Sequence, residues 1–226
     1  MSDATCGMRS TPGAPQRVTP TFAVLVLAAG MSTRFGQNKL LMPFGEVPVV
    51  RRAVLAALQS AVGEVFVVTG YQREAVVAVL NDLPVTFLHN PDYATGEMLS
   101  SIQTGLRALD PTPAQAAFVA LGDQPLVPAW VFRRLAQAYA QRCGSILAPM
   151  FAGQRGHPVL LGRRWWAPAL SLPRATPLRT LLQAHPADIA TLLVGTDAVL
   201  RDVDTPEAYA EALRLLNAGS GALRTA

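Results

Sequence analysis

The 226-residue sequence predicts an α/β fold, a three-layer sandwich around a mostly parallel sheet with a small antiparallel excursion. Three observations carry that expectation. Continuous apolar runs at 22–27, 65–68 and 116–121 fit strands buried on both faces. Segments of helical character separate them, the alternation expected of βαβ units. A polar or glycine-bearing turn follows each run, and such sheets bind ligands beyond the carboxyl ends of their strands.

Taken in order, residues 1–20 mix Ser, Thr, Pro, Gly and Arg and read as a disordered leader without the apolar core of a signal peptide. One domain then spans 21–217, and 218–226 reads as a frayed tail. After strand 22–27 and its glycine-rich loop, a helix is expected at 48–60, with Pro48 near its start. Strand 65–68, helix 72–80 and strand 85–88 follow. Helix 97–109 begins after Gly96, strand 116–121 precedes Asp123, and helix 128–141 follows Pro125 and Pro128. A short strand is expected at 145–148. Residues 150–161 are less regular and read as an antiparallel excursion around Gly153-Gln154-Arg155-Gly156. Helices at 163–170 and 177–184, strands at 189–194 and 199–203, and a helix at 206–217 complete the domain.

Composition narrows the function. Half of the residues are hydrophobic and 15% are charged, which suits a packed globular domain. The net charge of +4 is dispersed, with arginine pairs at 51–52, 133–134 and 163–164 but no basic run, so nucleic-acid binding is not expected. No apolar stretch approaches the roughly 20 residues that span a membrane. Cys6 and Cys143 form neither a disulfide framework nor zinc spacing, which suits a reducing, cytoplasmic location. A modest positive charge does suit a polyanionic small substrate. Of 19 basic residues 18 are arginine, and the lone lysine, Lys39, falls in the first loop. Lysine acts on phosphate as a compact point charge, where arginine acts as a planar fork.

That loop, Ala28-Ala29-Gly30-Met31-Ser32-Thr33-Arg34-Phe35-Gly36-Gln37-Asn38-Lys39, lets backbone approach a ligand closely and can form an anion nest. Ser32 and Thr33 add hydroxyls; Arg34 and Lys39 add charge able to stabilise developing negative oxygens. It is not a Walker A loop, because Gln37 follows Gly36, and it lacks the dinucleotide glycine fingerprint with its acidic partner. An NAD-dependent oxidoreductase is thereby excluded.

Carboxylates come next. Asp123 directly follows a buried strand and should stand at the sheet rim, where magnesium takes carboxylate and phosphate oxygens; a plain turn aspartate in Gly122-Asp123-Gln124-Pro125 is the alternative. Asp202 and Asp204, two apart, share a side if extended. Asp204 also precedes Thr205-Pro206, so it reads equally as a helix N-cap, with Glu207 completing a capping-box-like pattern. Ser100 and Ser101 open helix 97–109, a setting that favours anions and polar ligand edges but also simple capping. Thr69-Gly70 and Gly96 are turns that can border a base. Gly156 and His157 lie in the excursion, where His157 can touch an acceptor or bond to backbone. Trp165-Trp166 fits a core pair or a platform for a flat heterocycle, and the core reading is preferred. His89 and His185 read as structural.

The stretch Leu27–Leu41 resembles the LAAGxSxRxGxxKLL signature of the MobA-like nucleotidyltransferases, most closely the molybdenum cofactor cytidylyltransferase branch, with Phe35 where methionine is more usual. The resemblance extends through Gly122-Asp123-Gln124-Pro125, Arg155-Gly156-His157-Pro158-Val159 and Asp202-Val203-Asp204-Thr205-Pro206, about residues 22–215. It also includes Ser101-Ile102-Gln103-Thr104-Gly105-Leu106, where the family's serine lies near the base.

It implies a Rossmann-like, nucleotide-diphospho-sugar-transferase-like sheet and transfer of CMP from CTP to the phosphate of the molybdopterin molybdenum cofactor. It implies catalytic Arg34, Lys39 and Asp123. The nucleotide would lie against Ala28, Ala29, Gly30, Met31, Ser32, Arg34, Lys39, Thr69, Gly70, Gly96, Ser101 and Asp123. Magnesium would sit on Asp123 and Asp204, and Gly156 and His157 would face the acceptor. Partners are CTP or another NTP, the molybdopterin-type cofactor, and transiently a recipient molybdoenzyme or its chaperone. Transfer with GTP or to a sugar phosphate, and a non-catalytic cofactor carrier, remain alternatives.

Overall fold

A computed structural model of the protein describes residues 21–33, 35–173 and 176–222. The expected leader at 1–20 lies outside the described residues. Strand β1 is Phe22–Ala28, and a hairpin of β2 (Pro43–Phe44) and β3 (Val47–Pro48) leads into helix α1 (Val49–Ser60). Next come β4 (Gly63–Thr69), α2 (Arg73–Ala78), β5 (Thr86–His89), α3 (Glu97–Leu109), β6 (Ala116–Leu121) and α4 (Ala129–Ala140). The remainder comprises β7 (Ile146–Phe151), β8 (Gln154–Arg155), β9 (Val159–Gly162), α5 (Trp166–Leu170), α6 (Leu178–Ala184), β10 (Ile189–Leu193) and α7 (Pro206–Ala222). No described helix is long and apolar enough to cross a membrane.

The main sheet runs β10-β7-β9-β6-β1-β4-β5, with β8 paired to β7. Strands β6, β1, β4 and β5 are mutually parallel, whereas β9 runs antiparallel to both β6 and β7. The expected mostly parallel three-layer sandwich is therefore present, and the antiparallel excursion at 150–161 is larger than foreseen. Its last strand is wedged into the middle of the main sheet instead of decorating the edge.

Alternation along β1 shows how the core is divided. Val24 and Val26 point to one face, where they join Val54 of α1 and Val131 and Leu135 of α4. Ala23, Leu25 and Leu27 point to the other face, against Ile102, Leu106 and Leu109 of α3 and the tryptophans Trp165 and Trp166. Burying a large aliphatic side chain contributes about 1.5–3 kcal/mol, so these two faces anchor the sheet. A third small cluster of Phe44, Val49, Val203 and Ala212 fixes α7 beside the hairpin.

Three local expectations are corrected. No strand forms at 199–203. Asp197–Leu200 is a 3-10 turn capped by Thr196, whose hydroxyl accepts from the Ala198 N–H. The backbone groups beyond serve loops, since Val199 O accepts from His157 N (3.0 Å) and Val203 N donates to Asp123 O (3.0 Å). Residues 163–170 form a 3-10 turn, Arg163–Trp165, before the short α5. Helix α7 continues to Ala222, past the expected end at 217. Trp165 and Trp166 are core residues whose ring N–H groups donate to Ser145 Oγ and Leu161 O, so neither offers a platform for a ligand.

Candidate active site

The loop after β1 is shaped by local bonds. Ser32 takes a left-handed conformation (φ 53°), its carbonyl accepts from Phe35 N at 2.9 Å, and its hydroxyl accepts from Lys39 N at 3.2 Å. A non-glycine residue at positive φ is uncommon and often marks a functional turn. Buried Asn38 accepts from Leu40 N with its side chain (3.1 Å) and starts the 3-10 turn Lys39–Leu41. Leu40 is driven into the core, and Lys39 is thereby turned toward the sheet rim. Arg34 lies outside the described residues.

Across from the loop, Gly122 N donates to Leu27 O at 2.9 Å, and a Cβ at Gly122 would stand 2.8 Å from that same oxygen. Only glycine lets β6 exit this close to β1, and Asp123 follows immediately. The Val203 N–H to Asp123 carbonyl bond ties the 202–204 segment to this exit. With Val203 buried, Asp202 and Asp204 both reach the cleft. Thr205, not Asp204, caps α7, its hydroxyl accepting from Ala208 N at 3.2 Å. The Asp204 carboxylate is engaged by Lys39 instead.

The two carboxylates meet on one cation. Lys39 Nζ lies 2.5 Å from Asp123 Oδ2 and also forms an ion pair with Asp204 Oδ1. Burial alone would lower the Lys39 pKa, but the charges and hydrogen bonds of Asp123 and Asp204 outweigh it and raise it. The ammonium is therefore firmly protonated. Asp202 accepts from Gln124 Nε2 at 2.5 Å, and burial, reinforced by the Asp123 charge, raises its pKa.

These groups floor a cleft of about 540 Å³. The glycine loop (Ala29 to Thr33) forms one side and residues 93–98 with Ser101 the other. Of the expected residues, Ala29, Gly30, Met31, Ser32, Lys39, Ser101, Asp123 and Asp204 come together there. Ala28, Thr69, Gly70 and Gly96 do not line it. Thr69 is buried and donates to Leu88 O, while a Cβ at Gly70 would meet Tyr93 Cβ at 2.5 Å and Ala29 Cβ at 2.8 Å. These residues seat the wall from behind. Gly156 and His157 line a second cavity, also about 540 Å³, which shares Glu97 and Met98 with the cleft. Burial pushes His157 down to about 4, partly opposed by the Asp123 charge, so the ring is neutral at pH 7.

Sequence reasoning gave no individual role to Tyr93, Glu97 and Met98, which form the far wall, or to Asn38 and Asn90, which hold the loop and the paired serines. Asn90 Nδ2 donates to both Ser100 and Ser101 hydroxyls, 2.8 and 3.0 Å away. An asparagine just after an apolar strand, ten and eleven residues before paired serines, is the one available signal.

The donor set suits a small divalent ion. Asp123 and Asp204 already converge on the single positive charge of Lys39, and hard oxygens of this kind fit magnesium or manganese completed by substrate phosphates. Among the described residues no group of three or more His, Cys, Asp or Glu forms a metal cage, so phosphate oxygens would have to complete the coordination.

Residues 24–189 match the MobA-like NTP transferase domain. The chain is 28% identical over 186 residues to the molybdenum cofactor cytidylyltransferase of Escherichia coli K12, covering 82% of this chain and 92% of that protein. It is 32% identical over 140 residues to the bifunctional protein GlmU of Kineococcus radiotolerans, covering 60% of this chain and only 28% of GlmU. Among solved structures, Rv0371c of Mycobacterium tuberculosis H37Rv superposes with a TM-score of 0.76 at 23% identity, covering 87% of this chain and 99% of that one. The same protein in complex with manganese gives a TM-score of 0.73 at 25% identity, covering 86% and 98%.

Proposed function

The chain belongs to the MobA-like NTP transferase family, a family of nucleotidyltransferases, and from that premise we propose that it transfers CMP from CTP to the terminal phosphate of a molybdopterin-type molybdenum cofactor. The observation that carries the reading is the Lys39 ammonium between Asp123 and Asp204 at the mouth of the glycine loop. The likeness to the cytidylyltransferase of E. coli supports CTP and this acceptor.

In this reaction an oxygen of the acceptor phosphate attacks the α-phosphorus of CTP. A new P–O bond forms, the bond from the α-phosphorus to the bridging oxygen breaks, and pyrophosphate leaves with the electron pair. The nucleophile comes with the substrate, so the protein needs none. Its work is in-line positioning and charge stabilisation. Backbone groups of Gly30, Met31 and Ser32 cradle the triphosphate. Lys39, with Arg34 from the same loop, stabilises the charge that grows on the departing pyrophosphate. Asp123 and Asp204 would hold magnesium, which supplies charge neutralisation at the phosphate oxygens when bound; that Rv0371c, of the same fold, forms a manganese complex supports use of a divalent ion. Ser101 faces the nucleotide from the far wall, and Thr69, Gly70 and Gly96 set that wall's position from behind. Gly156 and His157 face the acceptor.

Incubating the protein with magnesium, each of CTP, GTP, ATP and UTP, and either the molybdenum cofactor or glucose 1-phosphate as acceptor, followed by mass analysis, tests the proposal. The expected product carries one added CMP, with pyrophosphate released. A GTP product reassigns the nucleotide, and a glucose 1-phosphate adduct reassigns the acceptor. Absence of pyrophosphate with every NTP, while cofactor and metal still bind, makes the protein a carrier.

A further inference from the structure

We infer that Asn90, a buried residue behind the cleft, sets the hydrogen-bond polarity of Ser101 and so makes the site prefer a base whose ring nitrogen is unprotonated, cytosine over uracil. This rests on the nucleotidyl-transfer reading and adds the residue that tells the two pyrimidines apart.

Asn90 follows β5 directly, is 1% exposed and does not line the cleft. Its main chain is pinned to β4, since its N–H donates to Thr69 O at 2.8 Å. Its side-chain amide has one permitted orientation. Oδ1 accepts from the Asp92 N–H at 3.0 Å, a bond that an amide nitrogen cannot make. Nδ2 is thereby aimed at α3, where it donates to the Ser100 and Ser101 hydroxyls at 2.8 and 3.0 Å. The turn between these residues is closed as well. Thr95 and Gly96 N–H groups both donate to Asp92 O, and a Cβ at Gly96 would stand 2.5 Å from Ser100 Oγ.

Proton counting then separates the two serines. Each hydroxyl has one proton, and neither can point it at an amide N–H. Ser100 gives its proton to Glu97 O at 2.9 Å, so it both donates and accepts within the wall. Ser101 lines the cleft, and among the described residues no acceptor takes its proton. That proton is left to the ligand. Tyr93 and Met98 on the same wall offer an aromatic ring and a thioether to a base face, which leaves the base edge to Ser101. A freely rotating hydroxyl would serve cytosine and uracil alike, donating to N3 of the first and accepting from N3–H of the second. A hydroxyl whose rotation Asn90 restricts donates to cytosine N3 but meets uracil N3–H with a proton. Leaving a buried polar group unpaired costs more than a made bond gains, so discrimination follows.

Calorimetric titration of the protein in magnesium buffer with CTP, UTP and 3-deaza-CTP, without acceptor, tests the assignment. 3-deaza-CTP replaces N3 by C–H and keeps the rest of the base. Wild type should bind CTP at least about tenfold tighter than UTP or 3-deaza-CTP. Asn90→Asp keeps an acceptor for Asp92 N but turns a second acceptor toward the serines, which draws the Ser101 proton out of the cleft. CTP binding should weaken and UTP binding strengthen, narrowing their ratio at least about tenfold. If circular dichroism shows that this variant does not fold, Ser101→Ala takes its place and should bind CTP and 3-deaza-CTP equally. Equal binding of CTP and 3-deaza-CTP by wild type overturns the inference. An unchanged CTP-to-UTP ratio in Asn90→Asp with both affinities lowered, the mark of a merely structural role, also overturns it. So does a preference for CTP over 3-deaza-CTP retained by Ser101→Ala. Pyrophosphate released from CTP and the molybdenum cofactor in any of these cases leaves nucleotidyl transfer standing. The expected binding pattern in a protein that never releases pyrophosphate supports the role of Asn90 and sinks the transferase reading instead.

Discussion

The Lys39 ammonium lies 2.5 Å from Asp123 Oδ2 and simultaneously pairs with Asp204, so one lysine joins two carboxylates carried by segments far apart in sequence. Without nucleotide, the lysine occupies the point on which both carboxylates converge. On the proposed function, a bound triphosphate would offer the ammonium another partner and would leave both carboxylates to a metal.

Lys39→Met should therefore act in opposite directions on two readouts. Turnover should fall about 10²–10³-fold, the scale for removing one preorganised transition-state donor. Affinity for Mn²⁺ without nucleotide should rise at least about tenfold, because a unit like charge near 4 Å opposes a divalent ion by about 8 kcal/mol at an effective dielectric near 20. Calorimetric titration of Mn²⁺ checks this, and a loss of affinity would refute the shared-site account.

Asp123→Asn should separate chemistry from folding. The variant keeps the backbone bond from Val203 N to Asp123 O, so the melting temperature should move little. Turnover should fall by about 10²-fold or more, with nucleotide-dependent Mn²⁺ binding weakened in parallel. A large drop in melting temperature would make this aspartate chiefly structural.

His157 makes stability depend on pH. Its folded value of about 4 lies below the ordinary 6.5, so the unfolded chain binds the proton more readily. Its contribution is intact above pH 6.5, declines as pH falls from 6.5 toward 4, and levels off below. Full burial would set the span at about 3 kcal/mol, and the ring's partial exposure reduces it. Urea unfolding at pH 7, 5.5 and 4.5 should show this slope in wild type and a flatter one in His157→Gln.

Gly70→Ala should disturb the cleft from outside it. The new methyl would meet Tyr93 Cβ at 2.5 Å, and that side chain lines the far wall. A cost of about 1–3 kcal/mol is expected from overpacking. CTP affinity should fall with it, measured by thermal shift, although residue 70 does not line the cleft.

The sequence made the parallel half of the fold readable because runs such as 116–121 are apolar on both faces and long enough to declare a buried strand. The glycine loop and Asp123 were readable for a related reason, each standing at a strand exit, and Lys39 stood out as the lone lysine of the chain. Strand 199–203 was not, because Val199 and Val203 look like a ladder but give their backbone groups to His157, Gln124 and Asp123. Position β9 was hidden too: four apolar residues do not reveal which neighbours they join or in which direction. Asp204 was ambiguous between cap and ligand until Thr205 took the cap. Tyr93, Glu97 and Met98 carry no pattern, and only tertiary placement brings them to the cleft.

Strand β9 runs against both neighbours, pairing Val119 with Val159 and Ala116 with Gly162. Its amino end, preceded by Gly156 and His157, thus emerges at the same rim where the parallel strands finish. The Lys39–Asp123–Asp204 cleft hangs from strand exits, and the cavity beside it from a strand entrance. On the proposed function, insertions or exchanges in the 152–158 turn would refashion what is accepted while the cleft stays untouched, so a lineage built on this frame could change clients without relearning its reaction.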